Sequence, residues 1–255
     1  MIRLVILGSG NVAWHLIKAC KEAQGIEVIQ LWHRGELPAD FDTLQVETTS
    51  SLSLLAEADL YFIAVNDAAI TNLSKSMPKV KGVVAHTSGN TPMQALSSKN
   101  RRGVFYPLQT FSKSAALHFK EVPVCLEAED TEGIHLLVKT AQKLTNHYEI
   151  IDSDQRKTLH LAAVIVNNLV NHLYHQAHEL CRDKEIPFSL LQPLILETAR
   201  KINTKSPYDA QTGPARRGDH TTLYSQIDTL TENSVKELYI AITQSILKTY
   251  GREKL

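Results

Sequence analysis

Ile2-Arg3-Leu4-Val5-Ile6-Leu7-Gly8-Ser9-Gly10-Asn11-Val12-Ala13 is the stretch whose reading decides the fold. Residues 2–7 form an apolar, β-branched-rich run without the alternation of a half-exposed strand, which predicts a strand buried on both faces of a parallel sheet. Gly8 to Ala13 then spell G-x-G-x-x-A, between that strand and a helical stretch that reaches about Gln24 and stops at Gly25. In such a turn Gly8 permits the sharp bend, Gly10 lets the backbone approach a pyrophosphate, and Ala13 leaves room for close helix–strand packing. Ser9, Asn11 and Val12 complete the loop, and the helix N-terminus offers free N–H groups to phosphate. The pattern carries weight because a buried strand precedes it and a helix follows it.

The same rhythm continues outward. Strands are expected at 26–32, near 44–47, at 59–65, 82–86, 103–106, 122–127 and 147–151. Helices are expected near 51–57 and over 68–77, the latter capped by Asp67. Strands separated by helices imply crossovers, and so an α/β fold: a Rossmann-type doubly wound parallel sheet. After about residue 152 strand signals vanish. One helix is expected over 152–183 and others near 188–203, 219–231 and 233–250, with a Gly/Pro-containing loop at 205–218. Two domains follow, residues 1–152 and an all-helical 153–255.

The whole-chain numbers narrow the function. Among 255 residues, 27 basic and 27 acidic side chains give no net charge, so there is no basic stripe for nucleic acid. No run approaches the roughly 18 apolar residues of a membrane span. Cys20, Cys125 and Cys181 form no CxxC pair, and the apolar start is too short for a signal peptide. A cytoplasmic protein with neither membrane nor nucleic-acid partners is expected.

The second strand ends Trp32-His33-Arg34-Gly35. Sites for NAD place a carboxylate there, whereas an Arg accommodates the 2′-phosphate of NADP. His33 and Arg34 therefore favour NADP(H), with Glu36 keeping NAD as a lesser option. Ligands of open α/β sheets lie beyond the carboxyl ends of the strands, which nominates Ala64, Val65 and Asn66 together with His86, Thr87 and Ser88 as cleft walls.

On the long helix, His160, Asn167, Asn171 and Tyr174 fall along one face. The rest of the helix is apolar on almost every side, which predicts burial between domains or across a dimer seam. The polar face either lines a substrate cleft or forms a hydrogen-bonded network. His172, His175 and His178 lack further ligands at metal-site spacing, so no metal is expected. Gln211 to Asp219 hold a turn at Gly213-Pro214 and two guanidinium groups, Arg216 and Arg217, suited to an anion.

Several stretches also resemble a known family: His86-Thr87-Ser88-Gly89, Gly103 to Ser112 (GVFYPLQTFS), His160-Leu161-Ala162-Ala163, Asn167-Asn168 and Gln211 to Asp219 (QTGPARRGD). With the glycine loop they resemble the superfamily that includes pyrroline-5-carboxylate reductase and the β-hydroxyacid dehydrogenases. More narrowly, they are similar to a family that joins a Rossmann-like domain to a helical domain of unknown function. That resemblance implies NADP-dependent oxidoreduction with no agreed substrate. β-Hydroxyacid dehydrogenases carry a catalytic Lys three residues before a paired Asn; matching that pair to Asn167-Asn168 puts Val164 at the Lys position, so their mechanism does not transfer.

The expected reaction is hydride transfer between the nicotinamide and a carbonyl or imine carbon of a small anionic substrate, with a homodimer as the assembly. His160 and His86 are the candidate general acids, since histidine titrates near neutrality. Asn167, Gln109 and Thr110 are the candidate orienting groups and Arg217 the anion clamp. The alternative is a non-catalytic NADP(H)-binding sensor; a methyltransferase fits less well, because it wants an acidic residue where His33-Arg34 stands.

Overall fold

The leading strand, β1 (Ile2–Leu7), divides its side chains between two cores. Leu4 and Ile6 point into one and Val5 and Leu7 into the other, all four fully buried. This is why the run lacks alternation: both faces of the strand are covered. The computed structural model describes residues 1–114 and 116–255.

Seven strands follow: β2 (Ile26–Trp32), β3 (Thr48–Thr49), β4 (Leu60–Ile63), β5 (Val83–His86), β6 (Arg101–Pro107), β7 (Val124–Ala128) and β8 (Tyr148–Ile150). They form one sheet in the order β3-β2-β1-β4-β5-β6-β7-β8. All neighbours are parallel except β6 and β7, which pair antiparallel with Phe105 opposite Leu126. Strand order reverses between β1 and β4, the doubly wound arrangement expected from the sequence. Helices α1 (Asn11–Glu22), α2 (Asp67–Ser76) and α3 (Thr131–Leu144) cross over from β1 to β2, β4 to β5 and β7 to β8, while the other parallel connections hold only 3-10 turns.

Local differences have local causes. No helix forms over 51–57; a single 3-10 turn, Leu52–Leu54, stands there instead. Side chains from the sheet take the backbone groups a helix would have used. Gln30 donates to the Leu54 carbonyl and accepts from Ala56 N–H, and the Tyr61 hydroxyl bonds Ala56 O and Ala58 N–H. The strand expected near 44–47 is displaced to Thr48–Thr49, behind a 3-10 turn over Ala39–Leu44 and Gln45 at φ +45°. Asp67 begins α2, with Asn66 as its N-cap.

The chain divides into two compact units, Met1–Asn167 and Asn168–Leu255. Helix α4 (Ser153–Ala163) lies in the first unit, beyond the expected boundary at 152, because its inner face joins the sheet. Leu159 packs with Tyr106, Val104 and Cys125, and the buried Arg156 pairs with Glu127 on β7. The helix runs on through a π-helical stretch, Val164–Leu169, into α5 (Val170–Arg182). Within this chain the stretch is not covered as its apolar composition suggests: Leu161 is 60% exposed and Val166 70%. In the second unit follow α6 (Gln192–Lys201), α7 (Pro207–Ala210), α8 (Pro214–Arg217), α9 (His220–Thr229) and α10 (Asn233–Thr249).

Candidate functional site

A cleft of about 1200 Å³ opens at the carboxyl ends of β1 and β4, where the strand order reverses. Gly8, with φ +129°, makes its floor. A Cβ there would stand 2.2 Å from the Ala64 carbonyl oxygen, so the turn can pass β4 only as glycine. Gly10 is different: a Cβ there would meet nothing within 4 Å and would simply occupy the cleft. It caps α1 without any side-chain hydrogen bond, and the first turn of that helix holds no acidic residue. The first N–H groups of α1 thus face open space with a positive dipole end behind them. A diphosphate fits that cradle by charge and by room.

Of the residues nominated from the sequence, Gly8, Ser9, Gly10, Asn11, Val12, Arg34, Ala64, Val65, Asn66 and Thr87 line the cleft. Three do not. Ala13 is fully buried in the core beneath α1. His33 turns its Nδ1–H to the Gly35 carbonyl at 2.5 Å. Ser88 is spent on its own loop, its Oγ accepting from the N–H groups of Asn90 and Thr91 at 3.2 and 3.0 Å. Exposed Arg34 stands on the wall with Trp32 and Gly35, whereas Glu36 is not among the lining residues.

Other walls were not read from the sequence. Ala68, Ala69, Asn72, Leu73 and Ser76 present one face of α2, a spacing that helical periodicity contains. Phe111 completes the rim. It belongs to a strap, residues 108–113, drawn across the start of α1. Asn11 donates to the Phe111 carbonyl at 2.8 Å, the His15 ring donates to that of Ser112 at 3.0 Å, and Lys113 pairs with Asp40 at 2.7 Å. Gln109 and Thr110 lie on the strap but outside the lining, exposed, the Gln109 side chain accepting from the N–H of Thr110.

The two candidate histidines have opposite surroundings. His86 is fully buried, and its Nδ1 accepts from Ser88 N–H. Burial, followed by the nearby Arg156 charge, pushes its pKa down to about 3, the Pro92 carbonyl offsetting only part of this. It is therefore neutral and without solvent access, and the expectation that it acts as a general acid is corrected. His160 is half-buried on α4, and its Nδ1 lies 3.0 Å from the Tyr106 hydroxyl. Arg156, one turn earlier on the same face, anchors that helix. Its guanidinium bonds Glu127 of β7, the Thr91 carbonyl at 2.8 Å and the Ser153 hydroxyl at 3.2 Å. Neither Tyr106, which lies within the GVFYPLQTFS stretch, nor Arg156 has a role at the site that the sequence reveals, because His160, Glu127 and Thr91 lie far from them along the chain.

Asn167 ends the first unit exposed on the π-helical stretch. In the second unit Arg216 is committed elsewhere: its guanidinium sits 3.8 Å from the Tyr250 ring centre and 5.4 Å from that of Tyr208. Arg217 is exposed, 3.9 Å from Asp219. His178 bonds Glu179 at 3.1 Å and meets the edge of Phe188. No helix among the described residues is long and apolar enough to cross a membrane.

A doubly wound sheet whose order reverses over a glycine turn, followed by a helical unit, makes this a Rossmann-type α/β protein with a helical C-terminal part. Residues 122–246 match the family described as a domain of unknown function (DUF2520). A Bacteroides fragilis protein designated a candidate NADP oxidoreductase is 35% identical, with 97% of this chain and 98% of that one aligned at a TM-score of 0.87. The chain belongs to this family. Two more distant structures share the fold. A Thermotoga maritima protein is 20% identical (TM-score 0.74, 97% and 98% covered). The 1-pyrroline-5-carboxylate reductase of Streptococcus pyogenes is 14% identical (TM-score 0.66, 98% of both). No curated protein matches the chain.

Proposed function

We propose that this chain is an NADP(H)-dependent oxidoreductase acting on a C=O or C=N bond of a small anionic substrate. The observation that carries the reading is the cleft: a glycine turn and an uncapped helix N-terminus at one point of its wall and an exposed guanidinium at another. The B. fragilis relative supports the same cofactor by its designation. The α1 N–H groups would hold the diphosphate, and Arg34 the 2′-phosphate through charge-assisted hydrogen bonds. Leu52, Ala69 and Leu73 offer apolar surface to a base. When bound, the nicotinamide supplies a hydride, two electrons and one hydrogen, to the substrate carbon. The π pair of the C=O or C=N bond then moves to the heteroatom, which takes a proton drawn ultimately from water. His160 is the group we assign to meet that heteroatom.

Exposed Leu161, Ile165 and Val166 in the first unit, and Leu169 and Leu173 in the second, support a homodimer as the working form. NADPH consumption tests the reaction: the wild type is expected to oxidise NADPH with at least one member of a carbonyl and imine panel, and His160→Phe to do so at least about 100-fold more slowly. Tight NADPH binding with no turnover across the panel would instead favour the sensor.

A further inference from the structure

A buried hydroxyl has to give its proton to an acceptor, and the hydroxyl of Tyr106 has one. Tyr106 is 8% exposed near the end of β6. Among the described residues its only hydrogen-bond partner is His160 Nδ1, and the two rings meet edge to face with centres 5.9 Å apart. An unpaired buried O–H costs about 1–3 kcal/mol. Burial also pushes the phenol pKa up to about 12, so the group keeps its proton. Gly89 closes a third side: a Cβ there would stand 2.6 Å from Tyr106 Cζ and 2.7 Å from His160 Nδ1. The backbone of that loop presses on the pair, and Arg156 fixes the helix that carries the imidazole.

We infer that Tyr106 is a positioning residue that holds His160 as the Nε2–H tautomer, the phenol donating to Nδ1 and the ring presenting its own N–H on the opposite side. No protein group among the described residues takes that N–H. A neutral imidazole held this way is a hydrogen-bond donor. The substrate atom it meets must then be an acceptor: the oxygen of an aldehyde or ketone, or the lone pair of a neutral imine. A protonated iminium would bring one donor against another. This deepens the proposed reduction, and its substrate preference rests on that reading. As hydride arrives and charge gathers on the heteroatom, the bond from Nε2–H strengthens, which is the differential stabilisation catalysis needs.

The tautomer is measurable without cofactor or substrate. Long-range proton–nitrogen NMR of the full-length ¹⁵N-labelled protein, at about pH 8 where ordinary imidazoles are neutral, separates protonated from bare ring nitrogens. His160 is assigned by the signals lost in His160→Gln. The expected wild-type result is a protonated Nε2 with Nδ1 at the shift of a hydrogen-bonded acceptor. In Tyr106→Phe the Nδ1 resonance is expected to move to the free-acceptor position, with the Nδ1–H form appearing. A wild-type ring protonated at Nδ1, or a His160 spectrum unmoved by Tyr106→Phe, would overturn the inference. The wild-type measurement decides even if the variant folds poorly. Because neither arm contains nicotinamide, failure here leaves the cofactor reading intact, and failure to bind NADPH leaves the tautomer intact.

Discussion

The two loop glycines do different jobs, and single substitutions separate them. Gly8→Ala forces a Cβ to within 2.2 Å of a backbone carbonyl at φ +129°, so it should cost well over 1 kcal/mol and lower the thermal midpoint markedly. Gly10→Ala places its methyl in open cleft and should change stability by no more than about 1 kcal/mol while weakening NADPH binding at least tenfold. Scanning calorimetry and titration on both variants check the contrast. His86 gives a residue-scale pH signature. Its pKa near 3 in the fold lies below the ordinary value, so between about pH 6.5 and 3 unfolding takes up a proton that the native state refuses. Stability attributable to this group is complete above that window and falls through it as pH drops, by up to about 1.4 kcal/mol per pH unit. Urea midpoints against pH should show a shallower slope in His86→Asn. The glycines were legible in the sequence because strand, spacing and helix frame the turn as one local motif, although the carbonyl that Gly8 must clear lies at the end of β4. The burial of His86 was not, since a histidine at a strand end reads alike whether a loop folds over it or not.

At the scale of elements, the Arg156–Glu127 pair ties α4 to β7. Arg156 is 1% exposed in its side chain and Glu127 12%, so solvent screens the pair little. Arg156→Met leaves a buried carboxylate without its cation and should cost about 3–5 kcal/mol in urea unfolding. Adding Glu127→Leu should recover most of that loss; a double variant no more stable than the single one would show that the pair is not what holds the helix. Element type was legible wherever both faces of a strand or one face of a helix were buried, as in β1, β4 and α1. It failed at 51–57, where Gln30 and Tyr61 supply hydrogen bonds from another part of the chain. The strap was likewise invisible: Asn11 holds the carbonyl of Phe111 and His15 that of Ser112, both about a hundred residues away along the chain. Helical amphipathicity contained the lining face of α2, but only the sheet says which side of that face meets a ligand.

For the molecule as a whole, the sequence showed the reversal of helix and strand content near residue 152 but not where the compact units part, because α4 belongs by packing to the sheet. At the end of the first unit Leu161 is 60% exposed, Ile165 51% and Val166 70%, more apolar surface in one short segment than isolated exposed side chains make. On the proposed homodimer, Ile165→Glu should shift sedimentation from dimer to monomer at micromolar concentration; a dimer unchanged by it would remove this face from the interface, and a monomeric wild type would contradict the proposal. The central claim, however, concerns the cleft, and isothermal titration with NADPH and NADH tests it most directly. The account predicts that the wild type binds NADPH at least about tenfold more tightly than NADH, and that Arg34→Glu abolishes the preference by weakening NADPH alone, as loss of one charge-assisted contact to phosphate implies. Equal affinities in the wild type, or a preference that survives Arg34→Glu, would contradict it.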